Sequence, residues 1–136
     1  MASGYSGTPL GQKLGYRGGM RVLIDQMPDK VRHDIHQAIG ESPEWLRIPE
    51  PDLDAAHVFV TERAALEDRL VGILPLLKRD GFIWVSWPKK AARAATDITE
   101  DVIRVVALPM QLVDVKVCAV DEYWSGLKLV IRKEHR

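Results

Sequence analysis

Gly81-Phe82-Ile83-Trp84-Val85-Ser86-Trp87-Pro88, residues 81–88, is the stretch on which the fold turns. From Phe82 to Trp87 the only polar side chain is Ser86, and Pro88 closes the run. A strand with one wet face would alternate. This one does not, so it reads as a central parallel strand buried on both faces. Parallel neighbours need long crossovers, usually helical, and the flanks supply them. Upstream, Leu66, Leu70, Ile73, Leu74 and Leu77 form one helical stripe, which predicts a helix from Glu62 to Arg79, kinked or split at Pro75. Downstream, Asp97-Ile98-Thr99-Glu100 has the acid-x-x-Glu spacing of a capped helix start, with Asp97 as the cap and Pro109 as the stop after Leu108.

Working outward, Met20 to Ile24 is an apolar run after the Gly18-Gly19 pair and predicts another doubly buried strand. Val31, Ile35, Ala38 and Ile39 recur at helical spacing between Pro28 and Gly40. Ser42 to Ala55 is proline-interrupted and reads as loop with at most a short edge strand at Leu46 to Ile48. His57 to Thr61 is a better strand, and Leu112 to Val120 with Leu127 to Arg132 should pair as an antiparallel hairpin across Asp121 to Gly126. Residues 1–19 form an extension with one short helix, Thr8 as its cap, Pro9 at its first position and Gly15 near its end. The expected class is therefore α/β, a three-layered, mostly parallel sheet with a C-terminal antiparallel hairpin, in a single domain over residues 1–136.

Composition bounds the function. The chain has 136 residues, 46% of them apolar, and formal net charge +0, so it can build a core but lacks the basic excess that non-specific binding to nucleic acid or an anionic membrane requires. One cysteine, Cys118, excludes an internal disulfide and a multi-thiolate zinc site. No signal-peptide core or membrane-length apolar run occurs, and the expectation is a cytoplasmic protein.

In an open parallel sheet, ligands bind outside the carboxyl ends of the strands. That rule selects Asp25, Thr61, Trp87, Lys89, Lys90, Arg93, Thr96 and Asp97 as candidate ligand-binding residues. Lys89, Lys90 and Arg93 precede a helix N-terminus, a combination that can hold a phosphate or carboxylate, with Trp87 as a stacking surface. The bland alternative is a solvated loop whose cations pair with Asp97, Glu100 and Asp101. Asp121 and Glu122 read as a turn rather than an acid pair, with Gly126 supplying an unusual backbone angle and Trp124 covering the core edge. His33 and His36 lack a third metal ligand at helical spacing, His57 fits a partly buried rim position, and Cys118 fits a small core or sheet-face residue.

Two resemblances add to this. Leu76 to Ser86, followed by a helix and a terminal hairpin, resembles the second half of a Rossmann-like methyltransferase. That likeness implies S-adenosylmethionine as cofactor, seated against the turn after the first strand, with Asp25 as the acid near the strand end. The turn here, Ile24-Asp25-Gln26-Met27-Pro28-Asp29, contains no glycine, and Pro28 removes an amide donor. A longer set of segments is similar to a family of small bacterial proteins of unknown function. These are Gly4-Tyr5-Ser6-Gly7-Thr8-Pro9-Leu10 with Lys13-Leu14-Gly15, Trp84 to Lys90, Thr96 to Asp101, and Val113 to Glu122 with Trp124 to Val130. This second likeness implies a Rossmann-like fold and no particular reaction.

Three functions compete at this point. The first is a non-catalytic ligand-binding or interaction module that takes an anionic small molecule or a protein partner. The second is an S-adenosylmethionine-dependent transferase with a degenerate cofactor motif. The third is a homo-oligomer or scaffold, suggested by Trp45, Trp84, Trp87 and Trp124 in so short a chain.

Overall fold

The structure is a computed structural model and describes residues 9–136. The expected cap at Thr8 and the Gly4 to Thr8 segment lie outside the described residues. Among the described residues four α-helices, α1 (Leu10–Leu14), α2 (Asp29–Ile39), α3 (Arg63–Ile73) and α4 (Glu100–Ala107), pack on six strands. The strands are β1 (Arg21–Asp25), β2 (Glu44–Leu46), β3 (Leu53–Phe59), β4 (Leu77–Pro88), β5 (Leu112–Ala119) and β6 (Trp124–Ile131). Their order across the sheet is β2-β1-β3-β4-β6-β5. The first four are mutually parallel, and β6 runs antiparallel to both β4 and β5.

Alternation along each strand sorts the core into two layers. Ala55 and Phe59 of β3 and Trp84 of β4 meet Leu14 of α1 and Val31 and Ile35 of α2. Ala56 and Val58, Ile83, Val85 and Trp87 meet Leu66 and Leu70 of α3 and Ile103 and Val106 of α4. The sheet is thus covered on both faces, which is why β4 shows no polar alternation.

Several boundaries differ from expectation. The strand expected over His57 to Thr61 runs Leu53–Phe59, so it starts inside the segment expected to be loop. The helix predicted to reach Arg79 ends at Ile73, because Leu74–Leu76 tighten into a 3-10 turn around Pro75 and β4 already begins at Leu77. Lys78 to Gly81 are absorbed by a register shift against β3, which pairs Leu53 with Leu77 and then Ala55 with Phe82. The weak edge strand exists, two residues earlier than expected, over Glu44–Leu46 and parallel to β1. β6 starts at Trp124 rather than Leu127, because Asp121 Oδ1 accepts from the backbone N–H of Tyr123 and of Trp124, both at 2.8 Å, and so tightens the loop.

Gly126 also departs from its expected role. It sits within β6 with no left-handed backbone, and a Cβ there would lie 3.1 Å from both Trp84 Cε3 and Val120 Cγ2. Its purpose is close approach of the strand to the buried Trp84 ring.

Candidate functional site

The carboxyl end of β4 opens into a cleft of about 750 Å³. Trp87, Pro88, Lys89 and Lys90 form one wall, the start of α4 another, and Val117 and Ser125 of the hairpin the third. Four of the eight residues selected from sequence, Trp87, Lys89, Lys90 and Thr96, come together here. A hydrogen bond from Lys89 N–H to the Tyr123 carbonyl, 2.8 Å, fixes the connection to the hairpin loop.

The solvated-loop alternative needs Lys89, Lys90 and Arg93 to pair with Asp97, Glu100 and Asp101; Glu100 and Asp101 line the same cleft, and each of the three acids has another partner. Asp97 Oδ1 accepts from Arg63 N–H at 2.7 Å, which ties the β4–α4 connection to the first turn of α3. Glu100 and Asp101 both face Arg104, at 3.9 and 3.1 Å. Lys89 and Lys90 enter no ion pair among the described residues.

Several sequence-based roles change. Asp97 does not cap α4; Thr99 does, its hydroxyl accepting from Val102 N–H at 3.2 Å. Thr96 spends its hydroxyl on structure, donating to the Thr61 carbonyl at 2.6 Å and accepting from Ile98 N–H at 3.1 Å. Thr61 therefore contributes through its carbonyl to this tie. Trp87 is 8% exposed and belongs to the core under α3 and α4, so little of its ring is open to the cleft as a stacking surface. Arg93 is exposed, in a left-handed turn at φ 54°, and is not among the lining residues.

Asp25 lies elsewhere. Its carboxylate is bound by Arg69 of α3 through a short ion pair, and Asp68 holds the other side of that guanidinium at 2.9 Å. Both flank a smaller cavity of about 340 Å³ between α3, β1 and the segment after β2, with Arg47 and Pro49 on its far side.

The sequence reading missed a buried polar chain. Tyr16 Oη lies 2.9 Å from His57 Nδ1, and His57 Nε2 lies 2.7 Å from Ser86 Oγ. None of the three is more than 1% exposed. Phe59 stacks on the imidazole at 4.4 Å. Burial pushes the His57 pKa down to about 3, and burial first, then Cys118, raises the Tyr16 phenol. His57 is thus a neutral core residue and not the rim residue expected from its place near a strand start. A histidine and a serine on the same face of two paired strands was the one available signal, legible only once β3 and β4 were paired in register.

Other expectations resolve simply. His33 and His36 are exposed on α2, and no group of three metal-ligating side chains occurs among the described residues. All four tryptophans are buried or half-buried, Trp45 edge-on against Tyr16 and Trp124 edge-on against Phe59, so they give no sign of an interface. No described helix is long and apolar enough to cross a membrane.

No family model matches the chain, and no curated protein matches it, so neither comparison supports the likeness to a small bacterial family. Solved structures do match. A SAM dependent methyltransferase from Aquifex aeolicus superposes with TM-score 0.63 at 15% identity, covering 88% of this chain and 86% of that one. A putative methyltransferase from Thermoplasma acidophilum gives 0.61 at 8% identity, covering 95% and 76%. Magnesium protoporphyrin IX methyltransferase from Synechocystis PCC 6803 with bound SAM gives 0.56 at 12%, covering 91% and 74%.

The fold is methyltransferase-like.

In a methyltransferase-like Rossmann shell the cofactor's usual seat is the turn after β1, and the residues there do not fit it. Gln26 takes a left-handed φ of 62°, the conformation a glycine would supply, yet it brings a side chain to the place where backbone should approach ligand. Pro28 removes an amide at the start of α2, and the Asp25 carboxylate is already neutralised by Arg69. At this turn one amide donor is missing and a side chain stands where the fold would place a glycine.

Proposed function

We propose that this chain uses its methyltransferase-like shell to bind a small anionic molecule in the cleft at the carboxyl end of β4. One observation carries the reading: Lys89 and Lys90 stand at that cleft without ion-pair partners among the described residues, while the two carboxylates that also line it, Glu100 and Asp101, face Arg104, and Asp97 accepts from Arg63 N–H. Two ammonium groups at the edge of a cleft with an apolar floor suit a phosphate or carboxylate attached to a larger body. A cleft of about 750 Å³ is within the range that takes such ligands.

The second reading is an S-adenosylmethionine-dependent transferase, and the fold comparisons favour it over an inert module. Neighbours include proteins described as SAM-dependent or as holding bound SAM. Against it stands the β1 turn, so an adenosyl ligand would have to use the β4 cleft, where its carboxylate would meet Lys89 and Lys90.

Titration calorimetry with S-adenosylmethionine, S-adenosylhomocysteine and adenosine monophosphate tests both readings. Saturable binding of one of them, weakened at least tenfold by Lys89→Ala with Lys90→Ala, is the expected result. Binding of an adenosyl ligand that survives the double variant but is lost in Asp25→Ala would move the site to β1 and replace the first reading with the second.

A further inference from the structure

The corner between α1 and the β5–β6 hairpin lies on the opposite sheet face from the cleft, and it gathers positive charge. The strand register sets Lys116 directly opposite Lys128. A bulge between Asp114 and Lys116 separates the hairpin's acid from its base: Asp114 reaches Arg104 of α4 at 3.0 Å, while Lys116 reaches the carbonyl of Lys13 in α1, also at 3.0 Å. Like charges directly opposite on neighbouring strands are destabilising. Neither Lys116 nor Lys128 enters an ion pair among the described residues. Residues 1–8 hold no carboxylate in their sequence. The Lys13 ammonium adds to the same corner, since it acts with Lys116 on the Cys118 thiol.

The carbonyl end of α1 accounts for Lys116 but not for Lys128. Gly15 and Tyr16 N–H already donate to the carbonyls of Gln12 and Gly11, Lys116 to that of Lys13, and Trp84 Nε1 to that of Leu14 at 2.7 Å. Lys128 instead rests 4.4 Å above the Phe82 ring. Burial first, and Lys116 second, make its ammonium easier to deprotonate than usual.

We propose that Lys116 and Lys128 form a phosphate-binding site on the α1 face, filled by free phosphate or by a phosphomonoester. A phosphate carries close to two negative charges near neutral pH and several acceptor oxygens, enough to neutralise both ammoniums, whereas a carboxylate can neutralise one. Lysine meets phosphate as a point charge and needs no planar fork. The site is independent of the β4 cleft, and either can fail without the other.

Calorimetry with inorganic phosphate, against chloride at matched ionic strength, tests it. Saturable phosphate binding is expected, weakened at least tenfold by Lys128→Met and by Lys116→Gln, and unchanged in Lys89→Ala with Lys90→Ala. Lys116 is exposed, so its variant keeps the fold if Lys128→Met does not. Glycerol phosphate binding tighter than inorganic phosphate would assign the site to phosphomonoesters, and the reverse to the free ion. No saturable binding, an unchanged constant in a folded Lys128→Met or Lys116→Gln protein, or loss of binding in the Lys89 and Lys90 variant would overturn it.

Discussion

Acid should weaken this protein through one imidazole. His57 is fully buried, sandwiched between Tyr16 and Ser86, and its pKa falls from 6.5 to about 3. In the unfolded chain the ring takes up a proton near its ordinary value, so between those two values the unfolded state binds more protons and stability falls as pH drops. From pH 7 to pH 4.5 the linkage integral for this one group is about 2.5 kcal/mol, approaching about 1.4 kcal/mol per pH unit below pH 6. Against a typical domain stability of about 5–15 kcal/mol that is a large share. The assay is urea unfolding of the wild type and of His57→Asn at pH 7 and pH 4.5. Asn cannot titrate, so carboxylate contributions common to both proteins cancel in the difference. The wild type should lose about 2.5 kcal/mol more than the variant over that interval, although the variant starts lower because Ser86 and Tyr16 lose partners. Equal losses in the two proteins, or a folded-state imidazole signal for His57 that titrates near pH 6.5, would refute the argument.

Two further outcomes follow from packing and capping. Gly126→Ala should destabilise by about 1–3 kcal/mol in urea unfolding, because the new methyl meets a Trp84 ring that is pinned by its bond to Leu14 and has nowhere to move. Thr99→Ala should cost about 1 kcal/mol by the same measurement and raise amide exchange of Val102, whereas Asp97→Ala should raise exchange at Arg63 in α3 and leave Val102 unchanged.

Much of the architecture was legible in the sequence, for a reason that β4 illustrates. A strand covered on both faces must be apolar along its length, and helices that cover it must carry an apolar stripe; both constraints are local and survive in the order of residues. The candidate cleft was partly legible for a similar reason, because the carboxyl end of a central strand in an open sheet is where connections leave room. What Lys89 and Lys90 do there depends on the Arg104 guanidinium, which faces Glu100 and Asp101, and on the Arg63 backbone N–H, which holds Asp97, and no sequence spacing announces that.

The interior chemistry was decided by tertiary structure alone. His57 and Ser86 are 29 residues apart and Tyr16 is 41 from His57, and only the β3–β4 register together with the placement of the segment after α1 brings them into one line. The same holds for Lys116 and Lys128, which a one-residue change of register would separate onto opposite faces. Periodicity in a sequence reports which side of an element is dry. It says nothing of which side chain from a distant element arrives there, because that is fixed by strand pairing and helix placement across the whole chain.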